Sequence, residues 1–219
     1  DESHPHMVRP GRAYTSMPPE FGMVYTREEL AALYATCQKY DLRLFIDGAR
    51  LGYGLVSAAC DYDLPFLAKH CDVFYIGGTK VGAMMGEAVV FSGMKAPKYF
   101  FTNVKRHGAL LAKGRMLGIQ FDTLFTDELY FKISRHAIAM ATRIRSIFEK
   151  HGIAIAYDSP TNQQFVVLSP ALYEAISPKL AFEIWERKSE HEIICRFVTS
   201  WATKEEELDE LDRILQSYA

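Results

Sequence analysis

Two apolar runs of strand length, each entered from a helix-like segment and each ending on glycine and charge, limit this chain more than any other feature. Leu44-Phe45-Ile46 runs into Asp47, Gly48 and Arg50, and Val73-Phe74-Tyr75-Ile76 runs into Gly77, Gly78 and Lys80. The first run follows an amphipathic stripe, Leu30, Leu33, Tyr34 and Cys37, spaced i, i+3, i+4, i+7. That stripe opens on Thr26-Arg27-Glu28-Glu29, where the Thr26 hydroxyl and the Glu29 carboxylate can each satisfy the other's backbone amide. A shorter helix, "LPFLAKH", leads into the second run. Helix and continuous apolar strand in alternation describe a parallel sheet covered on both faces. The fold class expected is therefore α/β, a mostly parallel sheet with helices on both sides. A small α+β unit follows at the carboxyl end.

The remaining elements refine that expectation. "AYTSM" reads as a short strand ahead of the first helix. "GEAVVFSG" follows Lys80 too closely for a crossover helix, so it is expected to return antiparallel. Residues 101–118 read as helical, and a long helix is expected over 127–150, closed by His151-Gly152. "NQQFVVLS" and "EIICRFVTSW" read as strands, "KLAFEIWERKS" as a helix, and "TKEEELDELDRILQSY" as a last helix capped by Thr203 with Glu206. The expected division is residues 1–128, the large unit, and residues 129–219, the long helix with the small unit.

Composition excludes several classes. With 219 residues, 49% hydrophobic, and a net charge of -2, the chain has no bulk attraction for nucleic acid or anionic membrane. No apolar stretch reaches membrane-spanning length, and the first ten residues hold no secretory apolar core. Cys37, Cys60, Cys71 and Cys195 lie far apart without a Cys-x-x-Cys pair, which points to reduced thiols in a cytosolic protein. His4 and His6 form a pair with no further ligand near them in sequence, so no metal site is expected. A nicotinamide-binding reading fails because no Gly-x-Gly-x-x-Gly lies between a strand and a helix.

In an open parallel sheet, ligands sit beyond the carboxyl ends of the strands, where Asp47 and Lys80 both fall. Taken alone, Asp47 is more simply a helix cap or turn residue and Lys80 a solvated lysine. Their combination says more. A lysine amine becomes nucleophilic when burial and neighbouring cations lower its pKa, and two glycines before it let backbone approach a planar ligand. A carboxylate opposite suits a protonated heterocyclic nitrogen, and this is how proteins tune pyridoxal phosphate.

"FIDGARLGYGL", "CDVFYIGGTKVGAMMGEAVVF", "RHGALLAKGRMLGIQF" and "SPTNQQFVVL" resemble, in order, the threonine aldolase and β-eliminating lyase family, which has the aspartate-aminotransferase-like fold. The resemblance implies that Lys80 carries pyridoxal 5'-phosphate as a Schiff base and that Asp47 keeps the pyridine nitrogen protonated. It implies cofactor contacts at Thr79 and Arg50, with Arg50 also near the substrate. Arg196, in "CRFVTSW", would take the substrate carboxylate, which a planar guanidinium grips bidentately. Arg115 in "AKGRMLG" would approach the cofactor phosphate, often from a neighbouring subunit, and His107 is a lesser candidate. Glu20, after Pro18-Pro19, sits where relatives have Thr-Glu or Thr-His, so Pro19 removes a hydroxyl there.

The implied reaction cleaves a β-hydroxy amino acid to glycine and an aldehyde, in a homodimer or homotetramer; β-elimination and a non-catalytic assembly module are the alternatives. One departure is plain. The family's phosphate-binding Gly-Thr or Gly-Ser loop and its ring-stacking aromatic or histidine do not occur before Asp47, where the chain has only Gly11 and Gly22. The resemblance therefore implies a carboxyl-terminal piece, three-fifths of such an enzyme, which by itself can be empty and inactive.

Overall fold

A computed structural model describes residues 6–218, in two four-stranded sheets with the long helix running between their cores. His4 lies outside the described residues. The first sheet has the order β1 (Arg12–Ser16), β2 (Arg43–Asp47), β3 (Val73–Gly77) and β4 (Glu87–Phe91). Strands β1, β2 and β3 are parallel and β4 returns antiparallel to β3, as the short connection after Lys80 requires. Strand alternation puts Leu44 and Ile46 on the buried face and Phe45 and Asp47 on the other. The buried Asp72 carboxylate accepts from the Leu44 N–H at 2.8 Å, tying the start of β2 to the entrance of β3.

Helix α1 (Arg27–Lys39) has the expected cap. The Glu29 N–H donates to Thr26 Oγ1 and the Thr26 N–H to Glu29 Oε2 at 2.8 Å. A short α2 (Leu51–Leu55) follows β2, and α3 (Leu64–Lys69) is capped by Asp63, whose carboxylate accepts from the Phe66 N–H. The expected continuous helix over 101–118 is instead two. Helix α4 (Phe100–Arg106) ends where Gly108 turns left-handed at φ 72°, and α5 (Arg115–Phe125) begins seven residues beyond. Left-handed Asp127 and Glu128 then separate α5 from α6 (Leu129–Lys150), so the long helix starts two residues later than its stripe suggests.

The first turns of α6 belong to the first core. Tyr130 is 1% exposed; its hydroxyl donates to the Gly77 carbonyl at 3.0 Å and accepts from the Gly52 N–H at 3.1 Å. One phenol thus pins the tip of β3 and the first turn of α2 to the long helix. Farther along, Met140, Ile144 and Phe148 pack into the second core. That core lies under the sheet β5 (Ile155–Tyr157), β6 (Gln163–Leu168), β8 (Ile193–Val198) and β7 (Glu183–Arg187), antiparallel throughout.

Two expectations for this unit are overturned. "KLAFEIWERKS" contains strand β7, because the open edge of β8 pairs with residues 183–187 and Phe182 and Trp185 pack as sheet aromatics. The helix-favouring Leu, Ala, Glu and Lys there are outweighed by that ladder. The last helix, α8 (Glu205–Gln216), is capped one residue later than expected: the Lys204 N–H donates to Glu207 Oε2 at 3.0 Å, while Thr203 Oγ1 accepts from the Ser200 N–H. Helix α7 (Pro170–Ile176), capped by Ser169, was not expected from the sequence, nor were α2 and β5. The four cysteines are free thiols. Among the described residues, no helix is long and apolar enough to cross a membrane.

Candidate active site

The tips of β2 and β3 meet at glycine. The Gly77 N–H donates to the Gly48 carbonyl at 2.9 Å, and a Cβ built on Gly48 would stand 1.9 Å from the Tyr75 carbonyl oxygen. No side chain fits between the strands there, so Asp47 and the segment carrying Lys80 leave the sheet side by side. Among the described residues, the Asp47 carboxylate accepts from three donors. Tyr14 on β1 donates to Oδ2; Tyr75 on β3 and the Ala49 N–H, the latter at 3.0 Å, donate to Oδ1. Burial alone would raise the pKa of Asp47, but the Tyr14, Tyr75 and Ala49 hydrogen bonds and the Lys80 charge together hold it below the usual value. Burial, then the same hydrogen bond, push Tyr75 up.

Lys80 lies three residues beyond the end of β3. It remains exposed, yet partial burial of its ammonium lowers its pKa, and the Arg50 charge lowers it further; Asp47 and Glu87 oppose this. Its carbonyl accepts from the Tyr53 hydroxyl, whose own pKa burial pushes up to about 12. Lys80 shares a cavity of about 320 Å³ with Arg50, Tyr53, Thr79, Asn162 and Trp201. Arg50 stands at the start of α2, and burial, then the Arg196 charge, depress its pKa.

The structure therefore brings Lys80, Arg50 and Thr79 into one cavity, with Asp47 close enough for its charge to act on Lys80. Thr79 is less free than its position suggests, since its hydroxyl donates to Glu87 Oε1 at 3.2 Å. Arg196 sits in the neighbouring wall, on β8. It pairs with Glu183, donates from Nη1 to Gln163 Oε1 at 2.9 Å, and lies over the Trp185 ring at 5.0 Å. Glu20 approaches the same group through its backbone: its carbonyl accepts from Gln163 Nε2 at 3.1 Å. Arg115 opens α5 and is exposed, and none of the hydrogen bonds and ion pairs among the described residues ties it to the Lys80 cavity. His107 is likewise exposed, at the end of α4.

Sequence reasoning missed Tyr14, Tyr75, Asn162, Trp201 and Glu183. The tyrosines carried a usable signal: once β1, β2 and β3 are placed in parallel register, strand alternation puts both on the face of Asp47. Asn162 and Trp201 carried none, because they arrive from the loops beside β6 and β8 of the second sheet, far from Lys80 in sequence.

The family model described as beta-eliminating lyase matches residues 14–171. The chain belongs to that family. Its likeness to individual members is spread along its length. It is 29% identical over 208 residues to a low specificity L-threonine aldolase of Pseudomonas sp. (strain NCIMB 10558), covering 94% of this chain and 59% of that one. A second low specificity L-threonine aldolase, from Pseudomonas aeruginosa, is 28% identical, with 95% and 60% covered. Among solved structures, a Leishmania major threonine aldolase superposes with a TM-score of 0.94 at 36% identity, over 98% of this chain and 63% of that one. A Staphylococcus aureus aminotransferase matches at a TM-score of 0.65 and 13% identity, over 93% and 57%, and so shares the fold alone. The architecture is the aspartate-aminotransferase-like fold type I, with its mixed sheet, flanking helices and smaller antiparallel sheet. The chain spans about three-fifths of the length of the curated relatives it matches.

Proposed function

We propose that the protein carrying this chain is a pyridoxal 5'-phosphate-dependent carbon–carbon lyase of the threonine aldolase type, acting on a small β-hydroxy amino acid. The observation that carries the reading is Lys80 in a cavity with Arg50, its amine made more available by burial and by that cation, with the ionised Asp47 in its field. The side chains present fit the cofactor. Lys80 offers an amine for its aldehyde, Asp47 an acceptor for its ring N–H, and Thr79 and Arg50 the polar and cationic contacts in the cavity; Arg115, exposed outside that cavity, is assigned the phosphate of a neighbouring subunit's cofactor. Asn162 Oδ1, buried in the cavity wall without a partner among the described residues, awaits a donor that a bound amino acid brings. Bound there, pyridoxal phosphate supplies the electron sink that lets a Cα–Cβ bond break heterolytically.

The chain's own residues supply the rest. Lys80, with its pKa lowered, is neutral for a larger share of the time and can attack a carbonyl carbon or move a proton. Asp47 stays ionised and favours a protonated ring nitrogen over a neutral one. Arg196 is assigned the substrate carboxylate. Glu183 now holds part of that guanidinium, and its Nε is buried and unpartnered among the described residues, so an incoming carboxylate competes with Glu183 for a preorganised fork. Trp201 and Val198 narrow the cavity against water. We divide the chain at 128/129 and place it in the cytosol as a homodimer or homotetramer. Exposed Met84, Met85, Leu110, Leu111, Met116 and Ile119 support that assembly.

Incubation of the cofactor-loaded protein with L-threonine and with L-allo-threonine tests the reading. Acetaldehyde and glycine in equal amounts are expected. No acetaldehyde from either isomer, while the visible absorbance of bound cofactor is present, would move the assignment to β-elimination. A protein that takes up no cofactor would remove the lyase reading altogether.

A further inference from the structure

We infer that Tyr14 and Tyr75 are positioning residues that leave Asp47 one acceptor direction, on Oδ2, and thereby set which oxygen meets the ring N–H; this rests on the cofactor reading above. A carboxylate has about four lone-pair sites, two on each oxygen. Oδ1 is filled, by the Tyr75 hydroxyl and the Ala49 N–H at 3.0 Å. Among the described residues, Oδ2 takes only the Tyr14 hydroxyl. The three donors come from three directions: β1, β3 and the turn after β2. Together they fix the carboxylate plane as no single contact does.

The tyrosines are themselves held. Tyr14 stacks on Phe45 with ring centroids 5.6 Å apart, and Phe45 lies 6.2 Å from the Tyr75 ring, making one aromatic row across β1, β2 and β3. Phe45 is two residues before Asp47 on the same face of β2, so the row ends at the acid. The charged and titratable groups that bear on the cluster are few. Lys80 and Arg50 stand on the cavity side, and Glu87 on β4 acts on Tyr75.

Each hydroxyl donates to the ionised form of the acid, so removing either favours its protonated form. Phenylalanine at either position keeps the ring and its packing and deletes only the donor. The test is a carbon-13 titration of the Asp47 side-chain carboxyl, assigned with Asp47→Asn. It compares the unloaded wild-type protein with Tyr14→Phe, Tyr75→Phe and the double variant, all checked for folding by circular dichroism. The expected result is an upward shift of the Asp47 midpoint in each single variant and a larger one in the double. A weakening of pyridoxal phosphate binding by about tenfold should accompany the double variant, the loss expected for one charge-assisted hydrogen bond's worth of orientation.

An Asp47 midpoint unmoved in all three variants, with cofactor still bound by the wild type, overturns this inference and leaves the lyase reading standing. Equal cofactor affinity in the double variant and the wild type overturns it as well. No cofactor uptake by the wild-type protein overturns the reading on which it rests, and the inference with it.

Discussion

Replacing Lys80 with alanine is expected to lower the lyase rate proposed above by about a thousandfold or more, which corresponds to ~4 kcal/mol of barrier. The size follows from the residue's position. Lys80 is the lysine in the cavity with Arg50, and its amine is there both to bond a carbonyl carbon and to relay a proton. Among the described residues, no other lysine lines that cavity to take over either task. The effect should fall on kcat rather than on stability, because Lys80 is exposed and its backbone carbonyl, held by Tyr53, is unchanged by the substitution. Acetaldehyde release from L-threonine by the cofactor-loaded variant, followed with a reductase couple, measures it. A rate within about tenfold of wild type would assign the amine's work to another residue.

Replacing Gly48 with alanine is expected to cost about 4 kcal/mol of stability, at the upper end of what one substitution does. The added methyl would meet the Tyr75 carbonyl oxygen at 1.9 Å and the Leu51 Cβ at 3.1 Å. The first of these is backbone in the middle of the sheet, and cannot swing aside as a flexible side chain would. Relief requires β2 and β3 to part, which breaks the Gly77-to-Gly48 hydrogen bond and moves Asp47 away from the segment that carries Lys80. A fall of about 10 °C in the melting temperature is expected for a chain of this size. Gly118→Ala is the control of opposite sign. Gly118 lies inside α5 with nothing within 4 Å of its Cβ position, so alanine there should stabilise by roughly 0.5–1 kcal/mol through helix propensity. Thermal unfolding of both variants decides the matter, and a Gly48→Ala protein that melts with the wild type would mean the two strand tips are not in contact.

The readable parts of this molecule are those in which local pattern and tertiary role agree. The β2 and β3 runs, the capped α1 and the antiparallel return of β4 all follow from spacing over a few residues; Asp47 and Lys80 follow from lying at or just past the strand ends, and Arg50 from the family resemblance. What could not be read came from partners distant in sequence. β7 is a strand because β8 offers it an edge, although its own composition favours a helix. Glu183 reaches Arg196 only through that pairing. The break between α4 and α5 turns on a single left-handed glycine at 108 in a stretch otherwise rich in helix formers. In the site itself, the missed Asn162 and Trp201 enter from the second sheet across α6, where Thr199 Oγ1 donates to the Ala137 carbonyl at 2.7 Å and holds that end of β8 in place. Arg115 shows the converse: its motif carried the resemblance, but its exposed place at the start of α5 leaves its role to a group brought from outside this fold unit.

The most direct measurement is to load the protein with pyridoxal phosphate, reduce it with borohydride, digest it and locate the phosphopyridoxyl mark by mass spectrometry. One mark is expected, on the peptide containing Gly77-Gly78-Thr79-Lys80, with its loss in Lys80→Ala. A mark on a different lysine, or one scattered over the surface lysines with Lys80 unmodified, would contradict it.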